Sequence, residues 1–189
     1  MPGKIVFEGQ TTKGLSVYLR YPTFDDLHAL WEYINTLSQE RTFLLVQGET
    51  ISYDDETTWL KNQIEQIAHK QEVMIAALHG ATLIGNTAIG LGRGVKRHVG
   101  TFGISVARDY RGQGVGELLA RTVIDEAVAQ LPGLQLIELE VFGNNPIAMS
   151  LYRKVGFVEY GRIPGGILHH GEPVDAVYMY RPARLERHS

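Results

Sequence analysis

Between Val106 and Gly116 the chain reads Val-Ala-Arg-Asp-Tyr-Arg-Gly-Gln-Gly-Val-Gly. Glycines let a backbone approach a ligand closely. A helix that opens from such a turn presents unpaired N–H groups at the positive end of its dipole. That chemistry suits a diphosphate or another anion, and Arg111 adds a charge that can pair with phosphate oxygens. Three phosphate readings compete. An ATP-binding loop needs Gly-Lys-Ser/Thr at its end, and no lysine stands there. The dinucleotide fingerprint needs a third glycine where Glu117 falls. What remains is Arg-x-x-Gly-x-Gly, at Arg111, Gly114 and Gly116, against the plainer reading of a tight strand-to-helix turn without a ligand.

A second constellation lies downstream, from Asn145-Pro146 through Ala148, Leu151-Tyr152 and Gly156-Phe157. Asn145 suits a helix N-cap, Pro146 the first helical position, where its missing N–H costs nothing, and Gly156 the helix end. Tyr152 is either a packing aromatic beside Ala148 and Val155 or a phenol that donates a proton.

In order and spacing the two segments resemble the GNAT superfamily of N-acetyltransferases. Arg111-x-x-Gly114-x-Gly116 is similar to its coenzyme A diphosphate signature, and Asn145, Ala148, Leu151-Tyr152 and Gly156-Phe157 to its second motif. The likeness runs over residues 15–181, specific in the second half and vague in the first. It implies a mixed α/β fold, a central six- to seven-stranded sheet flanked by about four helices, with parallel strands splayed apart at the cofactor site. It implies acetyl-CoA as co-substrate. Main-chain groups at Ile104, Ser105 and Val106 would then run beside the pantetheine. The N–H groups of Gly112, Gln113, Gly114, Val115 and Gly116 would hold the diphosphate. Asn145 would touch the pantetheine arm, although capping is its surer role. Tyr152 would be the acid for the departing thiolate, since a phenol of pKa about 10 can give up a proton and recover it.

Direct transfer also needs a neutral amine. At pH 7 a lysine amine is free in roughly one molecule in 2,500, an α-amine in about one in ten. Many members of the family place a carboxylate on the strand before the glycine turn, but Val99 to Val106 has none. Leu139-Glu140-Val141 resembles the strand on which ribosomal-protein N-terminal acetyltransferases carry their base, so Glu140 takes that role by resemblance, directly or through water. A structural pairing of Glu140 stands beside it as the alternative. Glu40 and Arg41 fit a solvated loop better than the border of a substrate mouth. His169-His170 reads as an exposed turn with no third ligand at metal spacing, so no metal is assigned. Asp175 fits a hairpin support better than a substrate contact.

The elements that must position these residues follow from periodicity. Leu15–Arg20 alternates as a strand, and Asp25–Leu37 and Thr57–Lys70 carry apolar residues at helical spacing. Val73–Leu78 and Leu83–Leu91 flank a hairpin-like turn, and Val99–Val106 is a third apolar run. Val115–Leu131 is the clearest helix, ended by Pro132-Gly133 and followed by a strand at Leu134–Phe142. Phe157–Arg162 and Val174–Tyr180 form a closing strand pair, and 182–189 a frayed tail.

The 189 residues fit one domain, 44% hydrophobic and 21% charged. A formal charge of −3 argues against a dedicated nucleic-acid binder. The absence of cysteine removes disulfides and an acyl-cysteine intermediate. No signal peptide or membrane-spanning run is evident, which makes a cytoplasmic enzyme the default. The acceptor stays open between a protein or peptide N-terminus and a small amine. A homodimer through the C-terminal strands, a longer acyl chain and a non-catalytic acyl-CoA sensor on the same fold also remain open.

Overall fold

The computed structural model describes residues 1–184. Its frame is one eight-stranded sheet. The elements run β1 (Ile5–Gln10), β2 (Ser16–Arg20), α1 (Leu27–Gln39), α2 (Tyr53–Ala68), β3 (Glu72–His79) and β4 (Thr82–Leu91). They continue with β5 (Val99–Val106), α3 (Val115–Gln130), β6 (Leu136–Phe142), α4 (Pro146–Lys154), β7 (Val158–His169) and β8 (Glu172–Pro182). The spatial order is β1-β2-β3-β4-β5-β6-β8-β7, with every neighbouring pair antiparallel except β5 and β6.

The expected six or seven strands become eight because Ile5–Gln10 adds an edge strand on β2. Its burial alternates only weakly, so it carries little hydrophobic period. α2 begins earlier than its apolar spacing suggests. Ser52 caps it, its side chain accepting from Asp55 N at 3.1 Å, and three acidic residues fill the first turn. The expected frayed tail begins too early: Pro182 ends β8, and Ala183 is buried with its N–H on Gln135 O at 2.8 Å. Residues 185–189 of that expected tail lie outside the described residues.

β3 is buried from Val73 to Leu78, so both its faces are covered. Neighbouring side chains on β5 show what covers each. Val106 points toward α3, where its Cγ2 lies 3.8 Å from a Cβ built on Gly116. Ser105 points the other way, to Tyr33 of α1 at 2.9 Å. α1 and α2 therefore lie on one face, α3 and α4 on the other.

Between β5 and β6 the pairing stops early. The parallel register covers only Val99↔Leu136, Gly100↔Ile137 and Thr101↔Glu138, whereas β5 keeps its pairing to β4 as far as Val106 and β6 its pairing to β8 as far as Phe142. The two strands diverge beyond Thr101 and Glu138, leaving a wedge in the middle of the sheet. A cavity of about 530 Å³ near Gln71, His98 and Gln135 lies at the opposite, closed end of these strands.

Candidate active site

On the β5 side of the wedge the chain offers main chain. β5 exposes one edge there, and its other edge is held by β4. Ile104, Ser105 and Val106 all lie on this open stretch. Ser105 is further fixed by its side chain, which donates to Asn86 Oδ1 at 3.0 Å while the Tyr33 phenol bonds its Oγ. A 3-10 turn at Arg108–Tyr110 then leads into the glycines.

Gly112 and Gly114 adopt left-handed φ angles of 73° and 83°. Gly114 is the N-cap of α3, with no side-chain cap, so the first N–H groups of that helix have no partner within it. A Cβ at Gly112 would meet nothing within 4 Å, so the turn is open on that side. A Cβ at Gly114 would sit 2.8 Å from Thr12 Oγ1. The β1–β2 turn thus props the glycine turn from behind, and Thr11 Oγ1 donates to Gln113 O at 2.7 Å. Sequence reading missed this support, because Thr11 and Thr12 precede the region of resemblance. Donors, dipole and open space fit a diphosphate.

Arg111 lies at the same turn, but its guanidinium is already engaged. Nε donates to Val106 O at 2.9 Å, and Nη2 meets Glu40 Oε2 at 2.6 Å. Glu40 corrects the expectation of a solvated loop: its side chain is only 8% exposed, and Arg108 adds a longer contact at 3.8 Å. A charged residue at the end of a helix carries no sign of such burial, since its partners lie about seventy residues away.

Tyr152 stands on α4, on the α3 side of the sheet. Asn145 caps that helix, its side chain accepting from Ala148 N at 3.1 Å, and Pro146 takes the first turn. Leu151 lies 3.4 Å from a Cβ built on Gly116, and Lys154 pairs with Glu117 at 2.5 Å, which sets α4 beside the start of α3. The Tyr152 ring meets Phe102 edge-on at 5.7 Å, just beyond the last β5–β6 pair. Burial pushes its phenol up to about 12, so it stays protonated near neutral pH. No described residue hydrogen-bonds its hydroxyl.

Glu140 lies across the wedge on β6. Alternation sends Leu139 and Val141 into the core and Glu140 to the opposite, α1 side, where it is exposed. Its cross-strand neighbour is Tyr178, and the carboxylate pushes that phenol above its ordinary value by hydrogen bonding and by charge. One step further along the same face, Phe142 packs with Phe43 and His169, ring centroids 4.9–5.8 Å apart. His169 is thus buried rather than part of an exposed turn, its Nδ1 on Asn144 Nδ2 at 3.0 Å. The turn itself is His170-Gly171, both at positive φ. Asp175 accepts from Arg162 at 2.9 Å and from Gly165 N at 3.2 Å, which supports the hairpin.

The phenol and the carboxylate therefore lie on opposite faces of the sheet. In a continuous sheet the strands would separate them; here the β5–β6 pairing has already ended, at Thr101 and Glu138.

Comparison with known proteins agrees with this architecture. Residues 31–157 match the acetyltransferase (GNAT) family model. The chain is 30% identical to the L-amino acid N-acetyltransferase AaaT of Escherichia coli over 163 residues, 85% of this chain and 91% of that protein. A GNAT-family acetyltransferase from Streptococcus pneumoniae superposes with a TM-score of 0.80 at 25% identity, covering 88% of this chain and 99% of its own. A phosphinothricin acetyltransferase from Sinorhizobium meliloti, solved in complex with acetyl-CoA, shares the fold with a TM-score of 0.75 at 19% identity, over 92% and 94% of the two chains. With a family model spanning most of the chain and the wedge, glycine turn and α4 tyrosine in place, the chain belongs to the GNAT family of acetyltransferases.

Proposed function

We propose that this enzyme transfers the acetyl group of acetyl-CoA directly to a primary amine in a ternary complex. The observation that carries the reading is the wedge between β5 and β6, with an uncapped helix N-terminus at one end and a buried phenol and an exposed carboxylate on its two faces. The thioester supplies an activated acyl group and a thiolate leaving group. The N–H groups of Gly112, Gln113, Gly114, Val115 and Gly116 receive the diphosphate, and Asn145 and the free edge of β5 at Ile104–Val106 align the pantetheine arm. Tyr152 donates its proton to the departing sulfur from the α4 side. Glu140, on the α1 side, takes a proton from the attacking amine directly or through water. With acid and base on different faces, thioester and amine enter from opposite sides and meet without an acyl-enzyme, in keeping with the absence of cysteine.

The acceptor class is narrower if Glu140 is the base. The group is solvent-exposed, so it serves an α-amine, about one-tenth of which is free at pH 7, better than a lysine side chain. The likeness to an L-amino acid N-acetyltransferase supports the same preference. The test is a panel of free L-amino acids, peptides with unblocked N-termini and spermidine, each with acetyl-CoA and with free thiol as readout. Thiol release with α-amines ahead of spermidine is the expected result. Binding of coenzyme A with no release for any amine would favour a non-catalytic acyl-CoA sensor.

A further inference from the structure

α1 and the segment after it reach both sides of the wedge. Toward β5 there are two tethers, the Tyr33 phenol on Ser105 and the Glu40 carboxylate on Arg111. Toward β6 there is one, the Phe43 ring against Phe142 and His169. Between Glu40 and Ile51 the connection is also folded back on α1. Ser38 Oγ donates to Glu49 O at 2.7 Å, Asn35 Oδ1 accepts from Ile51 N at 2.8 Å, and Trp31 Nε1 donates to Ile51 O at 2.8 Å. This unit spans the α1 side of the wedge, the side on which Glu140 faces solvent.

Glu40 is the point where that unit meets the cofactor turn. Its side chain is only 8% exposed, and its carboxylate sits 2.6 Å from Arg111, whose Nε is held by Val106 O. A carboxylate buried beside an anion-binding turn is repelled by every phosphate that enters it, unless a cation stays between them. Arg111 occupies that place. It serves one anion at full strength or divides itself between two.

We propose that Glu40 and Arg111 form a positioning pair that ties the acceptor wall to the diphosphate turn, with the Arg111 guanidinium committed to Glu40 and the phosphates held by main chain. This rests on the transferase reading above and names what couples its two substrates. The guanidinium screens the Glu40 carboxylate from the turn, so the charge of a bound diphosphate is felt through the pair at the wall the amine approaches. Linkage makes that coupling reciprocal for binding.

A double-mutant cycle tests it, with coenzyme A affinity read by calorimetry and acceptor kinetics by thiol release from the fastest amine of the panel. Arg111→Gln is expected to weaken coenzyme A by up to about tenfold, because the uncovered Glu40 carboxylate then faces the diphosphate, and to raise the acceptor KM by about five- to tenfold, in the range of ordinary site coupling. Glu40→Gln is expected to tighten coenzyme A, because a buried negative charge is gone, while raising the acceptor KM by a similar factor. The double variant is expected to show no further rise in KM, since each change removes the same contact. Glu40→Asp is expected to restore part of the acceptor KM.

A loss of coenzyme A affinity of about tenfold or more, worth about 1.4 kcal/mol, that persists in the double variant would make the guanidinium a phosphate ligand and overturn the proposal. So would additive effects on KM. The calorimetric arm needs no amine. If no amine is turned over at all, the transferase reading fails while the titrations of Arg111→Gln and of the double variant still judge the pair.

Discussion

The two sides of the wedge are built from different materials. β5 and the turn after it offer peptide groups: a free strand edge, two left-handed glycines and an uncapped helix start. β6 and its neighbours offer side chains: Glu140 beside Tyr178, and an aromatic cluster of Phe43, Phe142 and His169. Peptide groups are present whatever the residue, so the β5 side depends on conformation and on the few positions where only glycine fits. The β6 side depends on residue identity and can be retuned without disturbing the backbone. Tyr152 joins the two, because it stands on α4 behind the wedge and is set in place by α3.

The sharpest way to break this comparison is at Tyr152. Tyr152→Phe is expected to lower kcat by about 10²- to 10⁴-fold with the coenzyme A Kd unchanged, as the removal of a general acid requires. Its phenol also sets a pH signature. Burial raises its pKa to about 12, so the protonated form persists through the alkaline range, and kcat is expected to show no fall near pH 10 from this group. A descending limb at pH 10 that vanishes in Tyr152→Phe would show a phenol of ordinary acidity instead.

Glu140→Gln comes next. A loss of about 10- to 100-fold in kcat/KM is expected at neutral pH, at or below the lower end of the usual range for base catalysis because the group is exposed. The loss should shrink as pH rises toward the amine's own pKa, because a larger fraction of the acceptor is then neutral without help. A pH-independent loss would assign Glu140 to positioning alone.

On the β5 side the test is conformational. Gly114→Ala puts a methyl where φ is 83° and Thr12 Oγ1 lies 2.8 Å away, and is expected to cost about 1–3 kcal/mol of stability, read by denaturant titration. Coenzyme A affinity should fall with it, by about tenfold, while kcat at saturating co-substrate changes far less. A large kcat effect with normal binding would contradict the division of labour between the two sides.

The smallest effect is expected at Lys154, whose ammonium pairs with Glu117 across α3 and α4. Lys154→Met should alter stability by less than about 1 kcal/mol, because the lysine is largely exposed and water screens the pair. The hydrogen bond from Lys154 holds the Glu117 carboxyl below its usual range. A lowered acid contributes stability above its unfolded pKa and loses it as pH falls through the folded one. The difference between wild type and variant should therefore shrink as pH falls out of the usual carboxylate range and through the lowered folded value, which melts across that window would show.

Much of this site was legible in order along the chain. The Arg111–Gly116 turn, the Asn145 cap with Pro146 and the end of α4 at Gly156 are local arrangements, and each depends on backbone rules within a few residues. β3 through α4 matched their periodicity to within two residues. Where reading fell short, the cause was long range. β1 is an edge strand with weak alternation, Glu40 is buried by partners far along the chain, and His169 is buried by rings from two other elements. The capping Ser52 with Asp55 three residues on was a local signal that the apolar spacing of α2 outweighed.

By itself the sequence determined which elements form, where the glycine turn opens a helix, and which residue types are available to bind an anion, donate a proton or accept one. Only the tertiary structure decided that Tyr152 and Glu140 lie on opposite faces of the sheet where β5 and β6 part, and that Arg111 turns to Glu40. The physical reason is that periodicity and capping act over one or two turns of chain. The parting of β5 from β6, and the pairing of charges buried around it, depend on how whole strands and helices pack.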